Sequence, residues 1–414
     1  MTFMNKSSTF NSTELHAKTG RMFLLVLALT VYFVGATEFM LASMLSPLAQ
    51  AFHTSPAGAA WLISSYACAY AVAAPAFGYL SDRVDRGRLL LLALLFFAID
   101  GAGIVFASSL DIAIGLRIFG GMASAVLIPT AFALISDVVD RERQAEAMGK
   151  VLLGMTFGIA VGPALAGVLT DTINWRAPFL FTSLGCLLAF GLGLMTIPRN
   201  LPHTKEVAGP HLGWFRNGAV LRPLIAKGAW NGTGVAAFLL SGQVLQQRYG
   251  FGAAAVGFTV ITFGAGLAIG NMSAGWLRKL CGREEVSLLV VTVLLITAIS
   301  LFMLISLPLA GALACLACWG AALGAGAPSS TVILAARAGT DKGMVLAFAE
   351  TFNNLAILVS VPFATARLML HGSRSAMSVM AIGLGLGLCV TLLDVILSRK
   401  MLRNANGSLT VNKP

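Results

Sequence analysis

Glu38, Asp100, Arg117, Lys227, Glu350 and Asp394 stand inside otherwise apolar stretches of the chain. An ionised group in hydrocarbon is expensive, so such residues pair, face a water-filled path or relay protons. A carboxylate suits proton relay, because desolvation favours its protonated form and a nearby cation favours its ionised form. A guanidinium stays charged at physiological pH and can act as the fixed partner. The chemistry on offer is proton transfer, not bond cleavage. H-E-x-x-H and G-x-S-x-G do not occur, and His16, His53, His203, His211 and His371 all fall in polar tails or loops. Without G-x-x-x-x-G-K-[ST], ATP is not the expected energy source. Cys315 and Cys318 form a C-x-x-C with no His, Asp or further Cys beside it, which reads as packing. No metal and no cofactor are expected, and no enzyme.

These charges must be positioned by membrane-spanning helices. Of 414 residues, 57% are hydrophobic and 11% charged, and the mean hydropathy is +0.84. Soluble domains carry about 25% charged residues. The apolar blocks run to about 20 residues, the length that crosses hydrocarbon as a helix, and they lack the alternation of a barrel strand. Twelve spans are expected, at about 23–47, 57–79, 88–108, 111–136, 148–170, 176–197, 223–246, 254–276, 286–306, 309–334, 344–366 and 376–398. The linker 198–222, with Pro198, Pro202 and Pro210, divides them six and six. The domains expected are a cytoplasmic tail (1–22), an N-terminal bundle (23–197), the cytoplasmic linker (198–222), a C-terminal bundle (223–398) and a cytoplasmic tail (399–414).

Charge orients the chain. Of its 28 Lys and Arg, Arg176, Arg248, Arg367 and Arg374 fall on the side away from the termini and Arg117 is embedded, leaving 23 toward the termini. The side richer in Lys and Arg is cytoplasmic, so both termini are expected inside and the net charge of +11 needs no nucleic acid. GYLSDRVDRGR after the second span is echoed by GWLRKLCGRE after the eighth, which suggests parallel repeats with substrate between the halves.

Helical rise then sets depth. Asp100 lies nine residues before the expected turn at Ser109 and Arg117 eight after it, so both sit about 12–14 Å below the far surface. Glu38, about 24 Å up span 1, reaches the same layer. Two readings follow. Glu38 exchanges a proton as Arg117 moves between it and Asp100, or Asp100 and Arg117 pair statically and Glu38 binds substrate. In the second half Glu350 neighbours Asn353 and Asn354, with Lys227 at similar depth, while Asn231, Gln243 and Asn271 add amides. Glu350 and Lys227 form a gate or substrate contact, or Lys227 snorkels and the amides pack helices. Asp394, five residues before Arg399, reads as an interface residue. Apolar and aromatic walls are expected from Tyr32, Phe33, Trp61, Tyr66, Tyr70, Phe132, Trp230, Phe238 and Phe263, a lining that suits amphipathic ligands.

Three motifs resemble the major facilitator superfamily, and within it the twelve-helix drug:proton antiporters. Gly78-x-Leu80-x-Asp82-Arg83-x-x-Arg86 is similar to the superfamily's loop after span 2, with Asp85 where a second Gly is usual and Gly87 two later. Arg117-x-x-Gly120-Gly121-x-Ala123-Ser124-Ala125 resembles R-x-x-Q-G-x-G-x-A, with Gly120 in the Gln position. Gly158-x-x-x-Gly162-Pro163-x-x-Ala166-Gly167 resembles the antiporter signature of span 5, with Ala166 replacing one Gly. Thr37-Glu38-Phe39 is similar to the T-E-F of efflux members.

The resemblance implies an all-α integral membrane protein of two pseudo-symmetric six-helix bundles in the bacterial inner membrane, usually monomeric. It implies proton-coupled efflux of a small amphipathic compound, with Glu38, Arg117 and Asp100 coupling and Gly78, Asp82, Arg83 and Arg86 gating. The expected substrate contacts are Glu38, Tyr32, Tyr66, Tyr70, Trp230, Asn231, Gln243, Glu350, Asn353 and Asn354. Gly158, Gly162, Pro163 and Gly167 mark export. The expected partners are the small-molecule substrate, protons and lipid. Proton-coupled uptake, a dedicated sugar, nucleoside or siderophore exporter, and a non-transporting sensor are the rival readings.

Overall fold

The computed structural model describes residues 7–81, 84–198 and 212–411, and among them every element is helical. The N-terminal half holds α1 (Ser7–Phe39), α2 (Leu41–Ala51), α3 (Pro56–Ala59), α4 (Trp61–Ser81), α5 (Arg86–Phe106), α6 (Leu110–Val138), α7 (Gln144–Thr172) and α8 (Ala177–Thr196). The C-terminal half holds α9 (Gly218–Tyr249), α10 (Ala253–Cys281), α11 (Glu284–Leu304), α12 (Leu309–Ala338) and α13 (Lys342–Val411).

Ten segments are long and apolar enough to cross a membrane by length and composition. Two more passes complete the twelve. α9 misses the apolar threshold because Lys227, Asn231, Gln243, Gln246, Gln247 and Arg248 dilute it. α13 counts once but folds back at Gly372, whose φ of 78° is the left-handed conformation that a side chain disfavours. The first pass is two helices, α1 and α2, parted at Met40. Pro47 cannot donate to the carbonyl of Ser43, so the ladder loosens one turn before it. The Ser43 hydroxyl bonds both the Met40 and the Pro163 carbonyls there, at 3.0 and 2.9 Å.

Each half builds its bundle by the same pairings. α1 packs on α7, α4 on α6, and α5 on α6 and α8; α9 packs on α13, α10 on α12, and α11 on α12 and α13. Between halves, α4 packs on the first arm of α13 and α7 on α10. The second pass of each half thus meets the fifth pass of the other, as a pseudo-two-fold axis requires. Small residues permit the closest approaches. A Cβ on Gly158 would stand 2.2 Å from the Tyr32 carbonyl oxygen, and one on Gly167 2.2 Å from that of Ala253. In the C-terminal half Gly266 and Gly270 seat against α12, and Gly320 and Gly324 against α10.

Three hydrogen-bonded contacts between the halves lie at mid-depth or on the side away from the termini. Ser46 on α2 bonds Gln243 and Gln246 on α9, Asp171 accepts from the Ala254 amide at 2.8 Å, and Thr351 donates to the Ala71 carbonyl at 2.9 Å. Toward the termini, Leu153 and Phe157 of α7 and Ile269, Met272 and Trp276 of α10 are exposed.

Candidate functional site

α1, α4, α5 and α6 bring five charged and polar groups together inside the N-terminal half. Arg117 on α6 donates from Nη1 to Asp100 Oδ2 on α5 at 3.2 Å, and each side chain is 1% exposed. Its Nε reaches the Leu62 carbonyl at 3.4 Å, and its guanidinium carbon lies 4.2 Å from the centroid of the Tyr66 ring. Three sides of the arginine are therefore occupied. Gly120, one turn along α6, makes room for the acid: a Cβ there would fall 2.1 Å from Asp100 Oδ2. The missing Gln of the span 4 motif has its physical reason in that carboxylate.

Glu38 ends α1 on the same layer and is partly buried. Its Oε1 accepts from the Tyr66 hydroxyl at 2.9 Å and from the Ser124 hydroxyl at 3.2 Å. Tyr66 thus stands between Glu38 and Arg117, its hydroxyl on one and its ring face on the other, and that face carries the negative quadrupole a cation prefers. Arg117 influences Glu38 through this ring and through space, not by a direct hydrogen bond. Tyr66 reads as a wall residue by sequence and Ser124 only as a small motif residue; no spacing rule marks either as a ligand of Glu38.

Across the interface, Lys227 on α9 lies 3.2 Å from Glu350 Oε1 on α13, and Asn231 donates to Asn353 at 2.7 Å. Asn354 bonds the Glu350 carbonyl of its own helix at 3.0 Å. Tyr70 is buried beside Tyr66, with ring centroids 6.5 Å apart, and lies within electrostatic reach of both Glu38 and Glu350. Tyr32 is half-buried, edge-on to Phe33 at 4.9 Å. The other expected contacts lie apart from this group. Gln243 sits at the α2–α9 junction, hydrogen-bonded to Ser46. Trp230 is 0% exposed, wedged against Gly326 and Gly387. Phe238 and Phe263 stack at 3.9 Å in the C-terminal core, while Trp61 is exposed.

Of the loop after span 2, Gly78 falls in α4, and Asp82 and Arg83 lie outside the described residues. Arg86 opens α5 and pairs with Asp137 at the end of α6, at 2.7 Å. Asp85 caps α5 by accepting from the Arg88 amide at 2.7 Å, and Gly87 lets the Pro198 carbonyl approach. The two departures from the motif thus serve as a cap and a contact. Of the span 5 signature, Gly158 and Gly162 seat on α1, and the Pro163 carbonyl and Gly167 face α10.

Residues 27–307 match the family model described as Major Facilitator Superfamily. The chain is 26% identical over 273 residues to the Chloramphenicol resistance protein of Streptomyces lividans, covering 65% of this chain and 69% of that protein. It is 32% identical over 184 residues to the Multidrug efflux pump LfrA of Mycolicibacterium smegmatis, a match spanning 44% of this chain and 36% of LfrA. Its fold is similar to that of a D-xylose-proton symporter, with TM-score 0.75 and 17% identity over 90% of this chain and 96% of that one.

Proposed function

Because the chain belongs to the Major Facilitator Superfamily, and is therefore a multi-pass transporter and not an enzyme, we propose that it exports a small amphipathic compound in exchange for protons. The observation that carries this reading is the separation of Glu38 from Arg117. The arginine is neutralised by Asp100 and held by Tyr66 and the Leu62 carbonyl. Among the described residues Glu38 accepts from two hydroxyl donors, Tyr66 and Ser124, which can serve either protonation state by rotating. A carboxyl held this way binds a proton from one side and gives it up to the other when a cation or substrate arrives. Asp100 is then a positioning residue that keeps Arg117 in place, and Tyr66 carries its influence to Glu38.

Other features agree. The span 5 signature forms the α1–α7–α10 junction that must slide or rock in alternating access. On this reading the basic side, with both termini, is cytoplasmic, and Glu38 releases its proton to that side. Tyr32, Tyr70, Asn231, Glu350 and Asn353 face the substrate path. Gly78, Asp82, Arg83 and Arg86 form the inner gate, and the bundles 23–197 and 223–398 move as units about the 198–222 linker, in a monomer in the inner membrane.

Proteoliposomes with an imposed pH gradient test the direction. Ethidium and chloramphenicol are expected to move against the proton flow. Movement in the same direction as protons would establish uptake instead.

A further inference from the structure

The pair between Lys227 and Glu350 is lopsided. The lysine side chain is 7% exposed and the glutamate side chain 42%. Only Oε1 of Glu350 receives the ammonium; among the described residues its Oε2 accepts nothing. The backbones beneath the pair are fixed. A Cβ on Gly228 would lie 2.4 Å from that of Phe352, one on Gly232 2.4 Å from the Asn353 carbonyl oxygen, and Asn231 bonds Asn353 at 2.7 Å. α9 and α13 are therefore in tight contact here, and the pair breaks by side-chain motion, of the long lysine stem or of the more exposed glutamate. A half-exposed ion pair through one oxygen is weak. A strut would be better served by the two-oxygen grip that Arg337 gives Asp394, at 2.9 Å to each oxygen.

We propose that Lys227 is a resident cation, holding Glu350 while the site is empty, and that positively charged substrates must displace it whereas neutral ones bind beside the closed pair. This rests on reading the group of Glu38, Tyr70, Lys227 and Glu350 as the substrate site. Asp100 and Arg117 cancel, and so do Glu350 and Lys227, which leaves Glu38 as the unmatched charge of the group. A monocation entering between Glu38 and Glu350 replaces the ammonium on one and meets the other across Tyr70. Lys227 then withdraws along the wall, its apolar stem still packed. A neutral ligand has nothing to offer Glu350 and leaves the pair closed.

Equilibrium binding to the full-length protein in nanodiscs tests this, with tetraphenylphosphonium as the permanent cation and chloramphenicol as the neutral probe. Lys227→Gln removes the competitor, so tetraphenylphosphonium is expected to bind about fivefold tighter, with chloramphenicol unchanged. Lys227→Arg installs a stronger, two-pronged competitor, so the cation binds more weakly and chloramphenicol again stays put. Glu350→Gln weakens the cation alone. Unchanged or weaker cation binding in Lys227→Gln overturns the proposal. If that variant does not fold, wild-type cation affinity in Lys227→Arg overturns it, because a structural lysine is rescued by arginine. If the wild type binds neither probe, the export reading falls and takes this inference with it. If both bind and only the Lys227 variants fail to discriminate, this inference falls alone.

Discussion

The two halves build the same bundle and spend their charges in different places. In the N-terminal half, Asp100 and Arg117 are paired in mid-membrane, with Glu38 one tyrosine away. In the C-terminal half the densest cluster sits at the termini's end. There Asp394 takes Arg222 at 3.0 Å and Arg337 at 2.9 Å, and Arg337 also reaches Glu285, Ser398 and the Ala219 carbonyl. That cluster ties α9, α11, α12 and α13 together where they leave the bundle. Both halves fasten helix ends with charge, as Arg86 and Asp137 do in the first, but the first also holds a fully buried pair in mid-membrane, while the second's largest cluster lies at the helix ends. Glu350 and Lys227 are the second half's contribution nearer the path.

Arg117→Met breaks the comparison most severely. It leaves Asp100 buried without a counter-charge, which costs about 3–5 kcal/mol. A large fall in melting temperature and loss of transport are expected. Asp100→Asn in the same chain is expected to restore most of the stability and none of the coupling. Gly120→Ala comes next, because its new Cβ pushes the Asp100 carboxylate off Arg117. Overpacking of this kind costs about 1–3 kcal/mol, read as a lower melting temperature with slower transport.

Asp394→Asn sharpens the contrast from the other side. Arg222 and Arg337 lose their shared acceptor, at a cost of about 1–3 kcal/mol. Melting is expected to fall while the proton-to-substrate ratio, measured by paired flux, stays at the wild-type value. Tyr66→Phe has the smallest effect. The ring stays over Arg117 and one hydrogen bond to Glu38 is lost, worth about 0.5–1.5 kcal/mol. Transport slows severalfold with the melting temperature nearly unchanged.

The transporter class and the twelve passes were legible because lipid imposes a long apolar period that few other contexts impose. Glu38, Arg117 and Asp100 were legible as a layer because 1.5 Å per residue converts sequence distance to depth. What depth does not give is rotation about the helix axis. Trp230, Phe238 and Phe263 therefore read as walls, and the structure turns them into the C-terminal core. Gln243 read as a ligand and lies at the α2–α9 seal. The break at Met40 carried a signal in Pro47, and the α10–α12 contact carried one in the G-x-x-x-G pairs 266/270 and 320/324. The cluster at Asp394 was hidden because its members lie 52 to 172 residues apart, and a positive loop residue looks the same whether it orients a helix or ties one down.

Proton release from the detergent-solubilised protein on adding ethidium or chloramphenicol, compared with Glu38→Gln, tests the central claim most directly. A burst of protons from the wild type that is absent from Glu38→Gln, with the ligand still bound, is the expected result. An equal burst from both proteins would place the exchanged proton elsewhere and contradict the account.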